Sequence, residues 1–171
     1  MEPRATKYDK QQVLAQVIAV IRESVETAKA QEQWFIDQAA GYPSATESHS
    51  DTNRSQNQHM AASSREAYLR LNEGLVELEA KLATWQETKS LTIGLLSLVE
   101  TINEQGVQQV IFIVSGQSSA IVQYSNGQKD QDTVEIRAVS ERAGLGKALM
   151  GKAIGDVVVM GQHRLNIIFF E

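Results

Sequence analysis

The sequence predicts an α+β fold: an N-terminal antiparallel coiled-coil hairpin, then a small antiparallel sheet domain with one short helix. Three observations predict it. Before Lys89 the apolar residues recur at alternating steps of three and four, the spacing of a coiled-coil seam. After it they come in short β-branched runs broken by Gly and Asn, as strands and turns do. Proline occurs only at Pro3 and Pro43, which suits long uninterrupted helices. The period changes at 89–90, dividing the chain into a hairpin, 1–89, and a sheet domain, 90–171.

The first helix is expected over Asp9 to Ala40, with the seam Leu14, Ile18, Ile21, Val25, Ala28, Glu32, Phe35 and Ala39. Only Glu32 interrupts it. Placed opposite Tyr68, its carboxylate could accept a phenol hydrogen bond and fix the register; turned outward, it would be solvated. The second seam runs Tyr68, Leu71, Leu75, Leu78, Leu82, Trp85. Each helix alone would leave an apolar stripe in water, and folding back buries both. Thirty residues give a rod of roughly 45 Å. Gly41 and Pro43 end the first helix, and a small, polar tip loop is expected over about 41–60. The second helix can start at Ser63 or Ser64, or earlier near Asp51 or Asn53.

In the second half, Thr92 to Thr101, Val107 to Ser115, Ala120 to Tyr124, Thr133 to Val139, Asp156 to Met160 and Arg164 to Phe170 read as strands. Ser125-Asn126-Gly127 is a hairpin-turn signal, and Leu145 to Met150 a short helix stopped by Gly151.

The charge balance excludes one class of function. The chain carries 16 Lys+Arg against 21 Asp+Glu, a net charge of −5, and neither half is basic. Autonomous, sequence-independent nucleic-acid binding needs a basic face. With no cysteine, disulfides, thiolate zinc sites and cysteine nucleophiles are excluded. No apolar run approaches the roughly 20 residues that span a bilayer, and no signal-peptide core follows the polar start. A soluble, cytoplasmic monomer is expected.

Gly144-Leu-Gly-Lys-Ala-Leu-Met-Gly-Lys-Ala-Ile-Gly-Asp-Val-Val-Val159 resembles the C-terminal signature of Gre-type transcript-cleavage factors, approximately Ser-Pro-Leu-Gly-Arg-Ala-Leu-Leu-Gly-Lys-Lys-Val-Gly-Asp-Glu-Val. Leu145, Gly146, Ala148, Leu149, Gly151, Lys152, Gly155 and Asp156 match. Lys147 replaces Arg, Ile154 replaces Val, and Ala143-Gly144 stands for Ser-Pro. The order of domains agrees as well, and the resemblance implies that the sheet domain is FKBP-like. Most matching residues have structural reasons of their own: Leu145 and Leu149 lie four apart on one helix face, and Gly155-Asp156 makes a turn.

The resemblance implies a transcription elongation factor. Such a factor binds bacterial RNA polymerase, inserts its hairpin into the secondary channel and stimulates cleavage of backtracked RNA. It meets the RNA 3′ end only inside that complex. Acidic tip residues help hold Mg²⁺ in the polymerase active site, so the factor has no cofactor of its own and is not a stand-alone enzyme. The family tip reads roughly Gly-Asp-Leu-x-Glu-Asn before a helix containing Ala-Ala-Arg-Glu. Aligned on Arg65-Glu66, the acidic positions fall on Arg54 and Asn57. The candidate carboxylates, for catalysis and for the shared metal, are then Glu47 and Asp51, which one helical turn would set on one face. Docking is implied for the region Ser140 to Lys147, with Ser140, Leu145, Gly146 and Lys147 as partner-binding residues.

Other readings are weaker. His49 and His59 without Cys or a dense carboxylate set are a poor metal signal, and His163 is a turn residue. Ser48, Ser50 and Ser55 lack triad partners. Arg54 is an exposed loop cation that could meet phosphate or carboxylate. A prolyl isomerase would need an aromatic pocket, for which the second half offers only Phe112, Tyr124, Phe169 and Phe170. A plain coiled-coil adaptor would need no such second half. The closest rival is a Gre-like channel binder that inhibits or tunes polymerase without stimulating cleavage.

Overall fold

The computed structural model describes residues 7–41, 48–86, 90–116, 119–125 and 133–171, with the side chains of 48–52 excluded. Two long helices come first, α1 (Lys10–Gly41) and α2 (Ser48–Ala83). The sheet domain contains β1 (Leu98–Asn103), β2 (Gln108–Val114), β3 (Ala120–Tyr124), β4 (Val134–Ser140), α3 (Gly144–Leu149), β5 (Val157–Met160) and β6 (His163–Phe170). The chain falls into two compact units, residues 22–73 and residues 1–21 with 74–171. This division by compactness is drawn elsewhere than the change of period at 89–90. Pro43, Asn126 and Gly127 lie outside the described residues.

In the unit 22–73, α1 continues to Gly41 and α2 starts at Ser48. Gly41 and residues 48–60 are therefore helical, which corrects the expected loop of about 41–60 over those positions, while 42–47 lie outside the described residues. The reason is propensity: Ser, Asn and Gln cost a helix only tenths of a kcal/mol, about 0.7 at most, and no Gly or Pro interrupts 48–73. The earlier start of α2 resets the register. Trp34 and Gln31 share one cleft with Met60 and Ser64. Glu32 is thus level with the turn Met60–Ser64 and not with Tyr68. It is half-buried, and among the described residues no hydrogen bond joins it to Tyr68.

In the other unit, Asp9 caps α1 by accepting the Gln12 N–H at 3.0 Å. The first turns of α1 bury Val13, Leu14, Val17, Ile18 and Ile21. The sheet has the order β3-β4-β2-β1-β6-β5. It is mixed: every neighbouring pair is antiparallel except β2–β4, which is parallel. The sequence pattern predicts a purely antiparallel sheet, and the structure differs at this one pair. The β3–β4 pair instead lies with its second strand against β2. β2 accordingly buries Val110 to Val114 without alternation, as a strand covered on both faces does.

The strand expected from Thr92 starts only at Leu98. Leu96 sits at φ 62° in a turn where its N–H donates to the Ile113 carbonyl at 2.8 Å. One face of the sheet packs Val99, Ile111, Ile113, Val139, Leu165 and Ile167 beneath Leu149 of α3. The opposite face carries Leu98, Glu100 and Phe112, and there Tyr8 and Tyr124 meet edge-on with centroids 5.6 Å apart.

Candidate functional site

The candidate tip carboxylates fall at the connection between the helices. Glu47 lies outside the described residues, immediately before Ser48. Asp51 belongs to the first turn of α2, with its side chain outside the described set. The two positions aligned with the family's acids are helical: Arg54 is exposed and Asn57 half-buried. Residues 53–65 contain no acid, and His59 is exposed. Among the described residues no group of three or more His, Cys, Asp or Glu is placed to hold a metal ion.

Between the two helices the hairpin opens. Thr27, Ala30, Gln31, Trp34, Phe35, Met60 and Ser64 line a shallow cleft of about 630 Å³. Its cause is the second seam, which offers only Asn57, Ala61 and Ser64 below Tyr68. Trp34 is 56% exposed and packs edge-on against Phe35, with centroids 4.8 Å apart. The heptad reading missed the cleft because Trp34 and Met60 stand beside the seam positions.

The signature segment forms α3, a turn and β5. Gly146 allows no side chain: a Cβ there would overlap the Ser140 carbonyl oxygen and lie 2.8 Å from its carbon. Ser140 is buried, with its hydroxyl donating to the Gly116 carbonyl and accepting the Arg142 N–H at 3.0 Å. Leu145 is half-buried against the core, while Lys147 stands exposed. Gly155 sits at φ 92°, a region L side chains avoid, and the Asp156 carboxylate accepts the Ala153 N–H at 2.9 Å. Of the four residues assigned to docking, Ser140 and Gly146 are thus committed to the fold, and Lys147 faces solvent.

A further polar cluster has no warning in sequence spacing. Glu100, 7% exposed in the middle of β1, accepts the Tyr8 hydroxyl at 2.6 Å and the Lys7 ammonium at 2.5 Å. Glu171 accepts the Tyr8 N–H at 2.9 Å, and the Asp9 N–H donates to the Tyr124 hydroxyl at 2.9 Å. Burial first, and then the bond to Glu100, pushes the Tyr8 phenol well above its ordinary value. The cluster ties the start of α1 to the sheet.

No family model matches the chain. No curated protein matches it either. Solved structures with similarity to the chain include two of one kind of protein. One is the GreA factor homolog 1 (Gfh1) protein of Thermus thermophilus, at 18% identity over 94% of each chain, with a TM-score of 0.33. The other is described as the transcription factor Gfh1, at 17% identity over 95% of this chain and 93% of that one, with a TM-score of 0.35. Among the described residues no helix is long and apolar enough to cross a membrane.

Proposed function

We propose that this chain is a cytoplasmic transcription elongation factor of the Gre type, working as a monomer on bacterial RNA polymerase. Its sheet domain docks on the enzyme and its hairpin enters the secondary channel. Glu47 and Asp51 then contribute oxygen ligands to the polymerase's Mg²⁺ and promote cleavage of backtracked RNA. One observation carries this reading: the signature 145–156 forms α3 and the turn into β5, in a sheet domain that follows a helical hairpin. The donor chemistry fits, because hard Mg²⁺ takes carboxylate oxygens, and Asp51 stands on the first turn of α2 beside the connection. The factor would supply ligands and positioning, with the reacting centre and the metal belonging to the polymerase.

A second reading is favoured by a different observation. Arg54 and Asn57 occupy the positions where the family alignment places its acids, and no acid follows until Glu66. A channel binder that tunes polymerase without stimulating cleavage would have such a tip. A backtracked elongation complex separates the two. Under the first reading the factor accelerates RNA cleavage, and Glu47→Ala with Asp51→Ala abolishes the acceleration. Acceleration that survives both substitutions refutes the assignment of these carboxylates. Binding without acceleration selects the second reading.

A further inference from the structure

α3 and the turn after it leave a run of outward side chains that the fold does not use. Lys147 and Met150 lie three apart on one side of α3 and its cap, and Lys152 and Ile154 follow in the turn. Both lysines are exposed, Met150 is 37% exposed and Ile154 50%. Among the described residues no ion pair engages either ammonium. The acids that flank this run are already occupied. The Glu141 carboxylate lies 3.8 Å from Arg142, and the Asp156 carboxylate accepts the Ala153 N–H at 2.9 Å. Residues 142–154 carry three basic side chains and no acidic one, in a chain whose net charge is −5. The backbone beneath them is pinned. The Gly151 N–H donates to the Ile93 carbonyl at 2.8 Å, and the Ile93 N–H donates to the Lys152 carbonyl at 2.8 Å. Ile93 and Leu149 are buried in the core below. A partner therefore meets a preformed surface, and binding orders only side chains.

We propose that Lys147, Met150, Lys152 and Ile154 are the surface by which the sheet domain docks, and that they meet an acidic protein surface with apolar side chains among its carboxylates. Resting on the reading of this chain as a polymerase-binding factor, this surface moves the contact away from Ser140 and Gly146, which the fold consumes, to side chains that face solvent. Charge complementarity selects the acidic partner. A cationic patch on an otherwise acidic chain attracts carboxylates, while the rest of the chain repels them, so the patch also sets the orientation of approach. The two aliphatic side chains select protein over nucleic acid. Phosphates would leave Met150 and Ile154 in water, the segment offers no aromatic ring for a base to stack on, and the whole chain is net negative. Against a protein the same two side chains supply the apolar centre and the lysines the charged rim.

Fluorescence anisotropy of the labelled full chain against bacterial RNA polymerase, at about 50 mM and about 200 mM salt, tests this. Wild-type affinity should fall as salt rises. Lys147→Glu with Lys152→Glu should weaken binding at least about tenfold and remove most of the salt dependence. Met150→Ser with Ile154→Ser should weaken it about fivefold and keep the salt dependence. Val159→Ser with Ile168→Ser, exposed elsewhere on the sheet domain, should leave affinity within about twofold. Circular dichroism checks that each variant keeps the fold. Undiminished affinity of the lysine double variant overturns this surface and leaves the polymerase reading standing. A wild-type chain that does not bind polymerase overturns both. Binding of the wild type to a duplex DNA fragment at the same salt, lost in the lysine double variant, would make the patch a phosphate site and overturns the acidic protein partner.

Discussion

The Tyr8 hydroxyl donates to Oε1 of Glu100 across 2.6 Å, joining residues 92 positions apart in sequence. Glu100 is buried in the centre of β1, between Val110 of β2 and Phe169 of β6. A buried carboxylate with few donors depends on each one. Tyr8→Phe should therefore cost about 2 kcal/mol, the range for a hydrogen bond to a charged group. Lys7→Ala should cost less than about 1 kcal/mol, because that ammonium is half-exposed and screened. Urea unfolding of the two variants checks the order.

The same bond sets an alkaline limit on stability. The folded state raises the Tyr8 phenol above its ordinary 10.0, chiefly by burial and then through Glu100. Folding therefore favours the protonated phenol. That stabilisation is complete below pH 10 and is lost as pH climbs toward the folded-state value. Stability measured above pH 10 should fall less steeply in Tyr8→Phe than in the wild type. Tyrosinate absorbance should show one phenol ionising only as the chain unfolds.

Gly146 supplies a sharper structural test. Its built Cβ meets the Ser140 carbonyl, which is backbone and cannot swing aside. Gly146→Ala should destabilise by about 3 kcal/mol or more, at the upper end for overpacking. Gly144→Ala, whose Cβ would only touch the flexible Met160 Cε at 3.5 Å, should stay within about 0.5 kcal/mol of wild type. Thermal denaturation of both separates a steric effect from helix propensity.

The helices and five of the six strands were legible because burial imposes its period on the sequence: three and four along Leu14 to Ala28, two along Ala120 to Tyr124. What was not legible had other causes. The polar tip reads as loop, with a helix start near Asp51 or Asn53 as the alternative, and the structure lies nearer the alternative, because polarity marks exposure and an exposed helix satisfies its backbone as well as a buried one. The start of β1 moved because Leu96 adopts a left-handed turn that no local composition announces. The parallel β2–β4 pair and the Tyr8–Glu100 bond are long-range, and single-sequence periodicity carries no information about such partners. Of the candidate site, the signature Gly146, Gly155 and Asp156 proved to have local steric and turn roles. The Gly155-Asp156 dipeptide by itself reads as a turn.

The opening beside Trp34 exists because Ser64 stands where a seam leucine would serve. Ser64 is half-buried and lines the cleft with Ala30 and Phe35. Ser64→Leu should fill part of it and stabilise the chain by about 1 kcal/mol, as cavity-filling substitutions do. Trp34 emission should move to shorter wavelength as leucine covers the indole. Unchanged emission with unchanged stability would mean the added side chain points to solvent.

The two readings of the tip differ over Arg54 and Asn57. If the ungapped alignment locates the working end of the hairpin, acids belong at these two helical positions, one exposed and one half-buried. Arg54→Asp with Asn57→Glu then restores a carboxylate pair three residues apart, on adjoining parts of one helical face. Both substitutions are tolerated by a helix at a cost of tenths of a kcal/mol, about 0.5 each, so folding should be preserved. The expected outcome is a gain in RNA cleavage by a backtracked polymerase complex of at least about tenfold over wild type, equivalent to 1.4 kcal/mol of barrier. If Glu47 and Asp51 already serve, the double variant adds nothing, and the gain should appear only in a chain that also carries Glu47→Ala and Asp51→Ala. Failure in both backgrounds, with polymerase affinity intact, places the metal-facing end of the hairpin away from 54–57.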